Sequence, residues 1–322
     1  MTKTSSRLSR PAVVCLLAGI CCALWGSAFP CIKLGYGLFA IDTHHTPSII
    51  LFAGMRFFLA GALVIAIGSV LRQKLLRPRC GRTWRRAVVL SLFQTVLQYL
   101  FFYIGLSHTT GVKASIINSS SVFLALLIAA LLFRQETLTG RKLLGCAIGF
   151  AGVVLVNLGQ GSIGGSFSWM GEGFILLSSL SYAFSSVFLK RFSREDDPVL
   201  LSGWQFLAGG AFMMLWGRAG GGHLGTVSPA ALGMLLYLAL ISAVAYSLWG
   251  ILLKYNPVSR VAVFGFMTPV FGVVLSALLL REGSQAGGLC SAAALVLVCT
   301  GIYLVNRSTA VPAGKERASH DL

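Results

Sequence analysis

Long apolar runs separated by short polar segments fill almost the entire chain. Each run is close to the length of about 20 residues that a helix needs to cross the hydrocarbon core of a bilayer. The pattern predicts an all-α integral membrane protein with ten transmembrane helices, and it leaves no room for an appended soluble domain. The predicted spans are 12–35, 47–71, 86–106, 112–133, 140–158, 170–190, 198–217, 229–253, 258–280 and 287–306.

The two halves of the chain share short motifs in the same order. The segment WGSAFPCIK of the first span corresponds to YAFSSVFLK in the sixth, and GMRF in the second corresponds to GWQF in the seventh. Because each half contains an odd number of spans, the halves must have opposite orientations, as in many secondary transporters. The predicted domains are two five-helix inverted-topology repeats, 12–158 and 170–306, with cytoplasmic tails 1–11 and 307–322.

Composition agrees with a membrane protein. Hydrophobic residues make up 56% of the chain, charged residues only 11%, and the mean hydropathy is +0.82. Soluble domains carry about 25% charged residues. The formal net charge of +17 does not indicate nucleic-acid binding, because the basic residues lie in short clusters between apolar runs rather than on one interleaved face.

The basic clusters also predict an orientation, since cytoplasmic loops are enriched in Lys and Arg. Most of the 26 basic residues fall on the side that holds both termini. We therefore expect a multi-pass protein of the cell inner (plasma) membrane with both termini in the cytoplasm. The exceptions are Lys33, Lys113, Arg218 and Arg281 on the outer side, and Arg56 within a span.

Polar side chains at membrane depth are the candidate substrate-binding groups. A charge near the bilayer centre costs at least ~2.5–3.5 kcal/mol, so Arg56 should face a cavity or a partner. It could bind a carboxylate or phosphate, or hydrogen-bond helix carbonyls in a structural role. The uncharged groups could line a central cavity or join helices. The candidate cavity residues are Trp25, Ser27, Arg56, Gln94, Gln98, Asn118, Ser121, Tyr182, Ser185, Gln205, Tyr246 and Trp249.

Charged residues at span ends are candidates for gating or ion pairing, namely Lys33, Glu136, Lys190 and Glu282. The two lysines could instead extend to the membrane interface, and the two glutamates could cap helices. The sequence has no metal-spaced histidines, no CxxC pair among its eight cysteines and no activated nucleophile within a span. An enzyme, a metal site and a cofactor are therefore not expected.

The segments WGSAFPCIK, GMRFFLAGAL and RQETLTGRKLLG, with GWQFLAGG and VFGFMTPVFGVVLSALLLRE in the second half, resemble the drug/metabolite transporter superfamily and its EamA-type members. The resemblance implies the ten-helix inverted-repeat fold and a group that includes exporters of amino acids and related metabolites. One departure is Val122-Phe123, where the ninth span has Thr268-Pro269. Without that proline, a symmetric helix break is not expected.

The function expected from these features is secondary active transport by alternating access, with export of amino acids or related small polar metabolites. Two alternatives remain open at this point. Lys33, Arg56 and Lys190 could serve an anion exchanger for phosphorylated metabolites, and the protein could instead import a small polar solute. The expected partners are a small-molecule substrate and the lipid bilayer, with the chain a monomer or homodimer.

Overall fold

The computed structural model describes residues 7–109, 111–158, 167–225, 227–279 and 289–309, and within these ranges the regular structure is helical. Each helix follows one of the apolar runs. In chain order they are α1 (Pro11–Leu38), α2 (Thr46–Leu71), α3 (Gly81–Leu106), α4 (111–132), α5 (Gly140–Leu158), α6 (Trp169–Phe192), α7 (Pro198–Ala219), α8 (Pro229–Tyr255), α9 (258–279) and α10 (Leu289–Thr309).

Seven helices of the described chain, α1 to α4 and α6 to α8, are long and apolar enough to cross a membrane. Shorter apolar stretches, Val258–Gly272 and Ala292–Arg307, lie in α9 and α10. The predicted all-α, multi-pass membrane architecture is therefore confirmed. α3 begins five residues earlier than the predicted third span, because the basic turn that opens at Gly81 continues directly into the apolar helix.

Several helices depart from regular α geometry. In α9 a 3₁₀ segment, Val263–Phe266, precedes Pro269, whose ring removes the backbone donor that would bond four residues back. In α4 the helix is interrupted at the corresponding level, where Ser120 N donates to Ile117 O at 3.0 Å. The expectation that the missing proline would make the break asymmetric is therefore wrong. A local three-residue bond at Ser120 interrupts the helix without a proline.

Glycines allow two pairs of helices to approach closely. A Cβ atom on Gly54 of α2 would lie 2.6 Å from Met214 N of α7, and one on Gly61 would lie 2.5 Å from Leu207 N. Residue numbers increase along α2 while those of the contacting residues on α7 decrease, so the two helices are antiparallel. α5 and α10 pack in the same way, with Gly145 against Val305 and Gly152 against Ala294. Close backbone contact at small residues is a common packing mode in membranes.

α1 and α6 each pack against two consecutive helices of the other half of the chain. α1 packs against α8 and α9, whereas α6 packs against α3 and α4. Two buried hydrophobic clusters result, and residues of α1 and α8 contribute to both. The polar and aromatic residues of the candidate site lie where α1, α2, α3 and α8 meet.

Candidate functional site

Arg56 is a buried cation near the middle of α2. It lies ten residues from the helix start, ~15 Å at 1.5 Å per residue, and is only 3% exposed. Its Nε and Nη2 donate to Ser242 Oγ of α8 at 3.1 and 2.9 Å, and the guanidinium carbon lies 5.1 Å from the Phe57 ring centroid. Among the described residues no carboxylate lies within ion-pair distance of it. Its charge is therefore solvated by a hydroxyl and an aromatic ring rather than neutralised.

Aromatic rings form a continuous wall beside Arg56. The Trp25 ring makes edge contacts with Tyr246 and Trp249, with centroids 5.1 and 4.9 Å apart. The Tyr99 and Tyr246 hydroxyls are 2.8 Å apart, and the Tyr99 ring lies 4.4 Å from that of Phe57, which Arg56 contacts. We call the set Trp25, Arg56, Tyr99, Ser242, Tyr246 and Trp249 the central site.

Two donors in the central site have no hydrogen-bond partner among the residues that the structure describes. The indole nitrogens Nε1 of Trp25 and Trp249 are buried and make no hydrogen bond with any described residue. A buried N–H without an acceptor costs about 1–3 kcal/mol. Together with the guanidinium, these groups give the site an excess of donors and positive charge. A ligand with acceptor oxygens would complement it.

Gln94 and Gln205, two of the predicted amides, belong to a network separate from the central site. Gln205 Nε2 of α7 donates to Gln94 Oε1 of α3 at 3.0 Å, and Thr95 Oγ1 donates to Gln205 Oε1 at 2.9 Å. These three side chains are at most 1% exposed. The network joins α3 to α7, so Gln94 and Gln205 hold helices together. Gln98 is half-buried one residue before Tyr99 of the central site.

The predicted hydroxyl groups mostly bond locally. Ser27 Oγ donates to Leu24 O at 2.8 Å, and Ser185 Oγ donates to Tyr182 O at 2.7 Å. Such bonds to the preceding turn satisfy the hydroxyl within its own helix. Ser27 also lies 3.3 Å from the Tyr237 hydroxyl. Tyr182 is half-buried on α6, and Asn118 and Ser121 lie half-buried and buried on either side of the α4 break.

Two of the four charged residues at helix ends, Glu136 and Lys190, contact the junction between α8 and α9. Glu136 and Lys142 form a buried ion pair of 2.6 Å, and Glu136 Oε1 accepts from Ser259 N of α9 at 2.9 Å. Lys190 Nζ donates to the carbonyls of Leu253 and Asn256 at the end of α8. Lys33 is exposed and makes no ion pair with a described carboxylate. Glu282 lies outside the described residues.

Two members of the central site, Ser242 and Tyr99, were not predicted from the sequence. Ser242 is separated from Arg56 by 186 positions, and a lone serine in an apolar run is typical of helix packing. Its place one turn before Tyr246 is the signal that could have identified it, because residues four apart share a helix face. Tyr99 was missed because it lies in an aromatic and aliphatic run, directly after Gln98, where nothing in the sequence distinguishes it from a packing residue.

The family of the chain follows from its sequence as a whole. The sequence model of the EamA-like transporter family matches residues 12–158 and again residues 169–307. The chain belongs to the EamA-like transporter family. The resemblance seen in the motifs is confirmed, and this family comprises transporters rather than enzymes.

Relatives from distant organisms agree with this family. An uncharacterized transporter of Archaeoglobus fulgidus is 29% identical over 297 residues, covering 90% of this chain and 96% of that protein. A probable amino-acid metabolite efflux pump of Escherichia coli is 29% identical over 302 residues, covering 90% and 93%. One solved crystal structure superposes with a TM-score of 0.74 at 20% identity, covering 92% of this chain and 98% of the other. The last similarity concerns the fold alone.

Proposed function

We propose that this EamA-like protein is a secondary active transporter that exports amino acids or related small polar metabolites by alternating access. Ten spans form two inverted five-helix repeats, 12–158 and 170–306, in the plasma membrane with both termini in the cytoplasm. Substrate binds at the central site. The observation that carries the proposal is the buried Arg56, which has a hydroxyl partner but no counter-ion among the described residues.

The pairing of helices supports the inverted repeat. In such a repeat each helix of the first half has a counterpart five helices later, so α2 corresponds to α7 and α5 to α10. Both of these pairs pack against each other in antiparallel fashion. α1 packs on α8 and α9, and its counterpart α6 packs on their counterparts α3 and α4. Each contact of one half thus has an equivalent contact in the other half. Such a pair of equivalent contacts gives the protein two related conformations, one open to each side, as alternating access requires.

The charge of the central site favours a carboxylate over a phosphate ester. A phosphate monoester carries about −1.5 to −2 charges at neutral pH, which a single guanidinium does not balance. Lys33 is exposed at the end of α1, and Lys190 is bound to carbonyls. Among the described candidates, Arg56 is therefore the cation available to the substrate. The Escherichia coli relative is also named a probable amino-acid metabolite efflux pump.

Metabolite profiling of the culture medium tests this proposal. Cells would carry an empty vector, the wild type, Arg56→Gln, or Arg77→Gln as a matched control that removes an exposed arginine elsewhere. We expect one class of amino acid to accumulate outside with the wild type and Arg77→Gln. Arg56→Gln should lower that accumulation at least about tenfold, the loss of one charge-assisted hydrogen bond, at equal expression.

Other outcomes would argue against the proposal in distinct ways. Equal export by Arg56→Gln would remove Arg56 from the substrate site. An unchanged medium, combined with uptake of an externally supplied solute by the wild type, would favour import. Export of a phosphorylated compound would favour the anion exchanger.

A further inference from the structure

A second site lies at one end of the bundle, away from the central site. A cavity of about 250 Å³ opens between the start of α3 and the end of α6. Three arginines, one glutamate and two apolar residues line it, so its walls are basic and partly apolar. We call it the arginine cavity, and its lining residues are Arg85, Arg86, Val89, Arg191, Phe192 and Glu195.

One arginine of this cavity is fixed in position. Arg86 Nη1 lies 2.6 Å from Asp196 Oδ2, and its Nη2 lies 2.7 Å from Glu195 Oε2. The guanidinium also stacks on Phe192 at 5.5 Å from the ring centroid. The hydrogen bond from Arg86 holds the pKa of Glu195 below its usual range. Glu195 and Asp196 are thus both already paired with Arg86.

The other two arginines have no counter-charge in the described part of the chain. Arg85 and Arg191 are exposed, and neither makes an ion pair with any carboxylate of the described chain. They approach the cavity from α3 and α6, one from each half of the chain. The planar, multi-donor guanidinium group matches the oxygens of a phosphate. The cavity therefore presents two free cations beside a rigid third.

The surroundings of the cavity indicate a membrane interface. On α3 the face that carries Arg85 continues into Val88 and Leu92, which are 54% and 44% exposed. Trp84, beside the arginines, packs edge-on against Trp204 at 4.6 Å, and tryptophans are enriched where lipid headgroups lie. The arginines thus sit at headgroup level, directly next to a surface suited to acyl chains.

We propose that the arginine cavity binds a phosphate group, presented by an anionic phospholipid or by soluble phosphate, and that this group links α3 to α6. Basic pockets between membrane helices are known to hold anionic headgroups. The exposed apolar face below the cavity favours the lipid as the source. This site is independent of the transported substrate, so it can exist whether or not the proposed export is correct.

Thermal unfolding of the purified full-length protein in detergent provides the test. Short-chain phosphatidylglycerol, phosphatidylcholine or inorganic phosphate would be titrated against the wild type. The same titrations would follow for Arg85→Gln/Arg191→Gln and for Arg77→Gln/Arg79→Gln, which removes two exposed arginines of the α2–α3 loop outside the cavity. We expect phosphatidylglycerol, but not phosphatidylcholine, to raise Tm of the wild type. The cavity variant should weaken its apparent affinity roughly thirty-fold, and the loop variant should change it little.

The arms of the experiment separate the two sources. Saturable stabilisation by inorganic phosphate, lost in the cavity variant, supports the site with soluble phosphate as its ligand. Arg85→Lys/Arg191→Lys keeps the charge but not the planar donors, so an intermediate affinity supports binding by the guanidinium groups. Equal affinity in the cavity variant, or an equal loss in the loop variant, would overturn the proposal.

Discussion

Arg56 depends on Ser242 for its position. The hydroxyl accepts from two guanidinium nitrogens and donates to Leu238 O at 3.1 Å, which ties the charge of α2 to the backbone of α8. Hydrogen bonds to charged groups contribute about 1.5–3 kcal/mol. We expect Ser242→Ala to raise KM for the exported substrate by about tenfold or more, whereas Ser242→Thr, which keeps the hydroxyl, should stay close to the wild type. Initial rates in proteoliposomes measure both.

Folding provides the control for this prediction. If Ser242→Ala lowered only the amount of folded protein, the maximal rate would fall at constant KM. A KM that is unchanged in Ser242→Ala, or raised equally in Ser242→Thr, would show that the hydroxyl does not orient Arg56 for substrate.

The residue scale is also where sequence-based prediction reached its limit. That Arg56 must face a cavity or a partner was predicted, because a charge in the membrane must be solvated. The identity of the partner was not, since a contact across 186 positions depends on how α2 and α8 rotate about their axes. Gln94 and Gln205 were predicted to line a cavity or to join helices, and they bond to each other across α3 and α7. Depth in the membrane follows from the sequence, whereas the facing direction follows from packing.

Among the helices, α2 and α7 depend most on the absence of side chains. A Cβ atom on Gly210 would lie 2.3 Å from Phe58 N, a backbone atom that cannot rotate away. We expect Gly210→Ala to push the helices apart and to destabilise the protein by about 1–3 kcal/mol, as overpacking generally does. Thermal unfolding in detergent should show a lower Tm.

Gly233 of α8 offers the matched control, because nothing lies within 4 Å of a Cβ atom placed there. Gly233→Ala should leave Tm unchanged or raise it, since alanine favours a helix over glycine by up to ~1 kcal/mol. A Tm that is unaffected in Gly210→Ala would mean that α2 and α7 are less closely packed than the structure indicates.

Helix positions were predicted well, and helix irregularities were not. Apolar length determines where a span lies, so the predicted and observed ranges of α2 agree to within one residue at each end. No proline near Ser120 indicates the break there, and the π segment Ser91–Leu97 lies in an ordinary apolar run that gives no signal in the sequence. Both depend on backbone hydrogen bonds that tertiary packing selects.

At the scale of the whole molecule, orientation can be tested with Cys80. This residue is exposed in the loop between α2 and α3, among the basic residues that the distribution of charge assigns to the cytoplasm. With the remaining cysteines replaced, a membrane-impermeant maleimide should label Cys80 in inside-out vesicles and not in intact cells. His44→Cys, in the exposed turn between α1 and α2, should show the opposite pattern. Labelling of Cys80 in intact cells would reverse the proposed orientation.

The rate of that labelling also reports the pKa of the Cys80 thiol, independently of the orientation. Thr83 Oγ1 lies 3.4 Å from Cys80 Sγ, and its hydrogen bond lowers the pKa of the Cys80 thiol. Because the thiolate is the reactive form, a lowered pKa increases labelling at neutral pH, and labelling should slow as the pH falls through that pKa. Thr83→Val should move the pH profile upward and slow labelling at neutral pH without changing which side of the membrane reacts. If both proteins gave the same pH profile, the hydrogen bond from Thr83 would not set the pKa of Cys80. The conclusion about orientation would stand, because it depends only on which side of the membrane is labelled.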